Sequence, residues 1–350
     1  MAIKKKKVVL TVLGYITYFW LVFILSLYFT FPYQKLKKLI EYNLSDALGM
    51  QVKMESFSPS FFTGVKAEGI RIIPYASSED QVIYPYIIDS LTLRISLLKL
   101  IIGDIRVSLF SQFLDGEIDG FVDIDDDTKL GLVMKELNLR RFAPLRSFIP
   151  LPVKGYVEGK GELKLINKDI KKAEGKLSIT GKNIKIGDGK TPIPIPGQKE
   201  GLKLPPIEIK KFSLLIDIKR GIANIKKMKT NSNDIDLIGE GKIILSDKPS
   251  NIRFDTYFRF KFKKGFEKKG DIALGLVSAL DFIPTMKRAK RKDGYYGFKI
   301  TGTLSRGVNF TPSKKYRPSR IRRERRFKRH PQIRPPERKF KRYGPELNIK

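Results

Sequence analysis

The run from Val8 to Thr30 constrains this chain more than any other stretch. Its 23 residues carry no charge and are rich in Val, Leu, Ile, Phe, Tyr and Trp. At about 1.5 Å per residue, a helix of that length covers a hydrocarbon core of roughly 30 Å. The pattern predicts a transmembrane anchor built on residues such as Val8, Leu13, Trp20, Leu25 and Phe29, with Phe31-Pro32 closing it. The four lysines Lys4 to Lys7 place the N-terminus in the cytoplasm, and tyrosines at both ends suit the two interfaces. Everything after Pro32 is then expected across the membrane. A cleaved signal peptide has a shorter apolar core, of about 7 to 15 residues, and a small-x-small cleavage site. Tyr28-Phe29-Thr30-Phe31-Pro32-Tyr33 offers none, so the segment reads as uncleaved.

Composition narrows the chemistry. The 350 residues include no cysteine, which excludes disulfides, thiolate metal sites and cysteine nucleophiles. The single histidine, His330, lies in a charged C-terminal stretch, so a Ser-His-Asp triad or a His general base has no member in the folded part. No enzyme, cofactor or metal is expected. Of the formal charge of +33, residues 311–350 carry +13, sixteen Lys and Arg against three Glu, and the other +20 is spread over the remaining 310 residues. Elsewhere lysines alternate with apolar residues, as on a solvated strand face, where lysine also discourages edge-to-edge pairing. Nucleic acid is therefore not the expected partner.

After the anchor, Leu36, Leu39, Ile40, Leu44, Ala47 and Leu48 recur at helical spacing and Gly49 stands where a helix C-terminus favours a left-handed residue. An amphipathic helix over 33–49 is expected, either at the membrane boundary or capping the next sheet. From Met50 the period changes to two. Val52 to Met54, Val65 to Ile72 and Leu91 to Ser96 alternate apolar with polar, as half-buried antiparallel strands do. Ser58-Pro59-Ser60 reads as a turn, Leu97 to Ile102 as one helical turn, and Ile105 to Phe110 as a strand. Seven acids between Asp115 and Asp127 read as a solvated hairpin tip. An EF-hand beginning at Asp123 would need Gly and Glu where Thr128 and Met134 stand. Leu139 to Phe148 is expected as a short helix.

Beyond Val153, Gly155 to Leu165, Gly175 to Gly181 and Ile238 to Leu245 repeat a glycine-opened strand. Glycine inside strands marks bulges and bends, which predicts a strongly curved sheet. Gly187 to Pro206 reads as a long loop and a sub-boundary. Its Gly189-Lys190-Thr191 lacks the first glycine of a phosphate loop, since Ile184 stands there, and Pro192 blocks the helix start. Strands are expected at Ile207 to Ile218, Ile222 to Met228, Ile235 to Leu245 and Asn251 to Phe262, then from Tyr296 to Leu304. Ile252, Phe254, Phe258, Phe260 and Phe262 share one face of their strand. That face either packs on a helix over 266–283 or lines a groove for acyl chains. Residues 311–350 hold too few apolar residues to fold alone. Their arginines and lysines, with Arg322, Arg323, Arg325, Arg326, Lys328 and Arg329 as the densest cluster, suit loose contact with anionic lipid headgroups or envelope polymers.

The fold class expected is thus mainly β: a single N-terminal transmembrane helix (1–32), an amphipathic helix, a long curved antiparallel sheet domain (50–310) with few short helices, and a disordered basic tail. With Phe31-Pro32-Tyr33, Thr63-Gly64-Val65-Lys66-Ala67-Glu68-Gly69-Ile70, Leu97-Leu98-Lys99-Leu100, Leu151-Pro152-Val153-Lys154-Gly155 and Phe298-Lys299-Ile300-Thr301-Gly302-Thr303-Leu304, residues 1–312 resemble the type II secretion system protein N family, in its longer form from spirochaetes and deltaproteobacteria. The layout is also similar to AsmA-like periplasmic proteins. The resemblance implies a single-pass protein of the bacterial inner membrane, its bulk periplasmic, acting without catalysis by contact with other secretion-system subunits. The AsmA likeness implies the alternative, lipid binding or transfer on the apolar sheet face.

Overall fold

Period-two alternation runs from Gln51 to Pro312, and the chain converts nearly all of it into one antiparallel sheet. In a computed structural model, residues 2–61, 63–75, 83–147, 149–195, 198–303 and 307–318 are described, almost all of them in the unit Met1–Arg317. Two helices lead, α1 (Ala2–Thr30) and α2 (Tyr33–Leu48). The strands begin with β1 (Gln51–Lys53), β2 (Ser56–Ser60), β3 (Gly64–Ile73) and β4 (Tyr86–Ile95), and the one-turn helix α3 (Leu97–Ile101) follows. Next come β5 (Ile105–Phe113), β6 (Gly116–Ile124), β7 (Thr128–Asn138), β8 (Val153–Leu165), β9 (Glu174–Ile186), β10 (Pro192–Ile195), β11 (Gln198–Lys203), β12 (Ile207–Lys219), β13 (Ile222–Asn231), β14 (Ile235–Ile244) and β15 (Arg253–Phe262). Three short helices, α4 (Lys264–Glu267), α5 (Asp271–Ala279) and α6 (Pro284–Ala289), precede β16 (Tyr296–Thr303) and β17 (Gly307–Pro312).

The sheet has 15 strands in the order β1-β3-β4-β5-β6-β7-β8-β9-β12-β13-β14-β15-β16-β17, with β2 also on β3, and β10 and β11 form a separate hairpin. The topology is almost wholly a meander. Where Gly187 to Pro206 reads as a loop, the chain makes that hairpin, and β9 pairs directly with β12 across it. Asp188 organises its start by accepting hydrogen bonds from the Lys190 and Thr191 amides at 2.9 and 2.8 Å, which lower its pKa to about 2.

Helix α2 has the bounds its pattern predicts, and Gly49 is left-handed at φ 64°. Its apolar stripe of Tyr33, Leu36, Ile40 and Leu48 packs on Val52, Met54, Phe57, Ala67 and Ile70, so it caps the first strands. Burying one such side chain is worth about 1.5–3 kcal/mol. Polar bonds fix the helix's direction. Ser45 Oγ accepts from the Val52 amide at 2.9 Å, Glu41 Oε1 accepts from the Met54 amide at 2.6 Å, and Lys37 Nζ donates to the Glu55 carbonyl at 3.0 Å. Glu41→Ala leaves the Met54 amide without its acceptor in a buried place and is expected to cost about 1–3 kcal/mol. Glu41→Gln should retain most of that stability, which denaturant melts and exchange of the Met54 amide will check.

The sheet is far from flat. Ten strand steps separate β1 from β14, which on a flat sheet is about 48 Å. Yet α2, lying on β1 and β2, also meets the β14–β15 turn, where a Cβ added to Gly49 would stand 4.0 Å from Ser250 Cβ. Strand twist and register shifts in β7, β8 and β13 bring the two regions together.

Several local expectations change. Ser58-Pro59-Ser60 lies in β2 rather than a turn; β2 pairs only with β3, and an edge strand tolerates proline. The helix expected over 266–283 is two pieces, the end of α4 and α5, and a third helix, α6, follows it. Gly270 at φ 121° interrupts it, and Pro284 starts a new helix while barring Ile283 from helical geometry. Leu139–Arg141 and Ala143–Ser147 are 3-10 turns. The acids of 115–127 do not all sit at a tip, because Glu117, Asp119 and Asp123 lie along β6. Strand β17 carries the sheet past residue 310 to Pro312. Among the described residues no helix is long and apolar enough to cross a membrane; in α1 the described side chains are those of residues 11–23, 25, 26 and 30.

Candidate functional site

Register decides which side chains share a face, because paired residues in adjacent antiparallel strands point the same way. One row reads Leu93, Leu109, Gly120, Leu132, Gly161, Leu177, Ile216, Ile225 and Gly241 from β4 to β14. A neighbouring row reads Val107, Val122, Leu130, Leu163, Gly175, Ile218, Ala223, Ile243 and Phe254. These rows contain no charged residue. In the first row glycine and leucine alternate from Gly120 to Leu177, and in the next row of the same face a Cβ at Gly159 would lie 2.3 Å from Met134 Cε.

Both ends of this apolar face are covered. Helix α2 occupies the β1–β4 end. At the other end Leu280, Ala289, Tyr296 and Phe298 form a cluster into which Phe258, Phe260, Phe262 and Met286 pack. Of the two outcomes open for the phenylalanine stripe, packing on helices is the one realised for these three rings. Phe254 and Ile252 lie at the other end of β15, outside that cluster. The helical cover is pinned by Asp281, which accepts from the Tyr296 hydroxyl at 2.8 Å and pairs with Lys290. Burial and that bond push the Tyr296 pKa up to about 12.

Between the covered ends no helix or strand among the described residues overlies the face. A hollow of about 330 Å³ is lined by Leu109, Val122, Leu130, Leu132, Leu163 and Leu177 among others, with the charged Glu162 and Lys176 also bordering it, all of them on β5 to β12. Its walls are the sheet alone. These side chains are half-buried. The sequence points to the β15 face as either a groove or a packing face, and to no groove on β5 to β9. The alternation that marks β5 to β9 is equally regular, but only the register joins those strands into one surface.

The opposite face carries the charges, with Phe110, Phe121 and Leu215 exposed among them. Arg106 holds Asp123 through Nε and Nη2 at 2.5 and 2.6 Å, Lys182 donates to Glu158 at 2.6 Å, and Lys135 lies between Glu117 and Asp119 at 3.8 and 2.6 Å. A shallow depression of about 710 Å³ around Asp115, Glu117, Lys135, Glu158 and Lys160 carries both signs of charge, satisfied by such pairs. Bonding to Arg106 holds the Asp123 carboxyl below its ordinary value. A carboxyl depressed on folding contributes stability above its unfolded pKa, near 4, and loses it as pH falls through the folded value. Arg106→Met should therefore lower stability at neutral pH and flatten the acid limb of a thermal-melt profile.

Of the residues expected in an anchor, Leu13, Trp20 and Leu25 are exposed, and the side chains of Val8 and Phe29 lie outside the described residues, as do Arg322, Arg323, Arg325, Arg326, Lys328 and Arg329. Fold and site together define an antiparallel meander with the charges on one face and an apolar face that is capped at its ends and, among the described residues, bare in its middle. No family model, curated protein or solved structure matches this chain.

Proposed function

We propose that this chain is a membrane-anchored, non-catalytic lipid-handling protein that shields acyl chains in the groove of its curved sheet. The open apolar stretch over β5 to β12, with no charged side chain in its central rows, carries this reading. An acyl chain gains about 0.8 kcal/mol per methylene buried, and a bare aliphatic surface of this length is costly to leave in water. Helix α1 supports the anchor: every large apolar side chain described on it between Val12 and Leu25 is at least 37% exposed, and helices apolar all round belong in lipid. The lysines before it set a cytoplasmic N-terminus and a periplasmic sheet at the bacterial inner membrane. The basic tail touches anionic headgroups or envelope polymers. The absence of cysteine and of any histidine besides His330 supports a role without catalysis, cofactor or metal.

Purification of the full chain in mild detergent, followed by solvent extraction and mass spectrometry, tests this. Phospholipid at about one or more molecules per chain is expected; lipid-free protein that also takes up none from vesicles would sink the proposal.

A second reading, assembly or scaffolding of a type II secretion apparatus through contacts with its subunits, draws on the free sheet edges. Strand β17 pairs only with β16, and β1 and β2 only with β3, among the described residues. Such edges invite an added strand. Co-purification of secretion subunits under mild extraction, without lipid, would favour it.

A further inference from the structure

Two adjacent turns at one end of the sheet present apolar side chains to solvent. In the β2–β3 turn Phe61 is 74% exposed, and in the β4–β5 connection Leu98, Ile101 and Ile102 are 78%, 82% and 72% exposed, with Leu97 and Leu100 beside them. The turns form one apex, since the Ile95 amide donates to the Thr63 carbonyl at 3.0 Å and the Arg94 guanidinium stands 5.5 Å from the Phe61 ring centre. Apolar surface continues from the groove to this apex through Ile95, Ile105 and Ile124, all exposed.

The chain's own connections place the apex beside the anchor. Along α2 the bonds run from Ser45 to Val52, Glu41 to Met54 and Lys37 to Glu55, so residue numbers fall along the helix as they rise along the strands. The Tyr33 end of α2 therefore points toward the Ser60–Gly64 turn, and α1 leaves from the same end as Phe61 and α3. Lys35, Lys38 and Arg94 are exposed in this region and suit anionic headgroups, each worth about 1 kcal/mol near such a surface. On the flank next to the β6–β7 turn, Asp104 and Asp125 to Asp127 share a depression with Lys99, Ile105 and Ile124, so the contact proposed lies on the Phe61 and α3 side of the apex.

We propose that Phe61, Leu97, Leu98, Leu100, Ile101 and Ile102 insert among the acyl chains of the anionic phospholipid bilayer that receives α1, seating the mouth of the groove on the lipid surface. This rests on the lipid-handling reading and specifies where lipid enters. The chain has no cysteine, so Leu98→Cys and Ile101→Cys give unique points for an environment-sensitive fluorophore, and both positions are exposed enough that folding survives. The full chain is reconstituted in phosphatidylglycerol–phosphatidylethanolamine vesicles with plain or brominated acyl chains. Expected are a blue-shifted emission and severalfold quenching by the brominated chains, while a label at Lys160→Cys on the polar face stays unchanged. Quenching by aqueous iodide with none by brominated lipid would overturn the proposal. So would a blue shift that grows with the protein-to-lipid ratio without bromolipid quenching, which would assign the apex to a second copy. A label at Leu13→Cys reports the anchor separately, and lipid recovered on purification reports the groove. Quenching at 98 and 101 with no recovered lipid would keep the apex and remove the groove.

Discussion

Replacing Leu132 and Leu163 together by Glu is expected to reduce phospholipid recovered with the purified protein by roughly tenfold or more. Both residues line the bare hollow on adjacent strands. If each carboxylate displaces only two or three acyl methylenes, at about 0.8 kcal/mol each, the loss exceeds the 1.4 kcal/mol that corresponds to a factor of ten. The sheet should tolerate the change, because both positions are half-buried and the groove is open to water, so a carboxylate there stays hydrated. Lys160→Glu, on the opposite face of the same strand, should leave lipid recovery unchanged. Equal recovery from the double variant and the parent, with matching circular dichroism, would show that the groove does not hold the lipid.

Asp234→Ala is expected to destabilise the domain by about 3–5 kcal/mol, the usual consequence of stranding one partner of a buried ion pair. Asp234 is 5% exposed and its Oδ2 meets Lys269 Nζ at 2.5 Å and the Glu208 amide at 2.7 Å. Lys269 also donates to the Pro206 carbonyl at 2.7 Å. One carboxylate thus joins the start of β12, the β13–β14 turn and the link between α4 and α5. Its loss leaves an ammonium and an amide without their acceptor, and the melting temperature should fall by roughly 6–20 °C. Asp234→Leu combined with Lys269→Met removes both charges and should recover much of the loss. A double variant no more stable than Asp234→Ala would mean that the amide and carbonyl contacts, rather than the charge pair, hold this junction.

What could be read in advance followed the range of the interaction responsible. Helix α2 was legible to its ends because its stripe and Gly49 are local signals, and β12 to β15 were legible because alternation is local too. The broken helix after β15 was written in Gly270 and Pro284, whose backbone restrictions outweigh an apolar stretch. Strand β17 and the segment after it were hidden: Val308 and Phe310 give a weak pattern. Residues 313–317 are held by Tyr257 donating to the Ser313 carbonyl at 3.0 Å, Arg291 donating to the Lys314 carbonyl at 2.7 Å and Lys299 donating to the Arg317 carbonyl at 2.8 Å. Those contacts span up to 56 residues, and no window of sequence contains them.

The sequence by itself determined that this chain is mainly β, that its strands are two-sided, that it lacks the side chains of common catalysis, and that α2 ends at Gly49. Each of these depends on residue type or on spacing within a few positions. Only the tertiary structure decided which faces join. Register set the leucines of β5 to β9 in one surface that no described element covers, and the helices after β15 closed over Phe258, Phe260 and Phe262, on the face that alternation left as either groove or packing face. Alternation fixes that a strand has an apolar side, but what covers that side depends on elements brought near by curl and by long-range pairing.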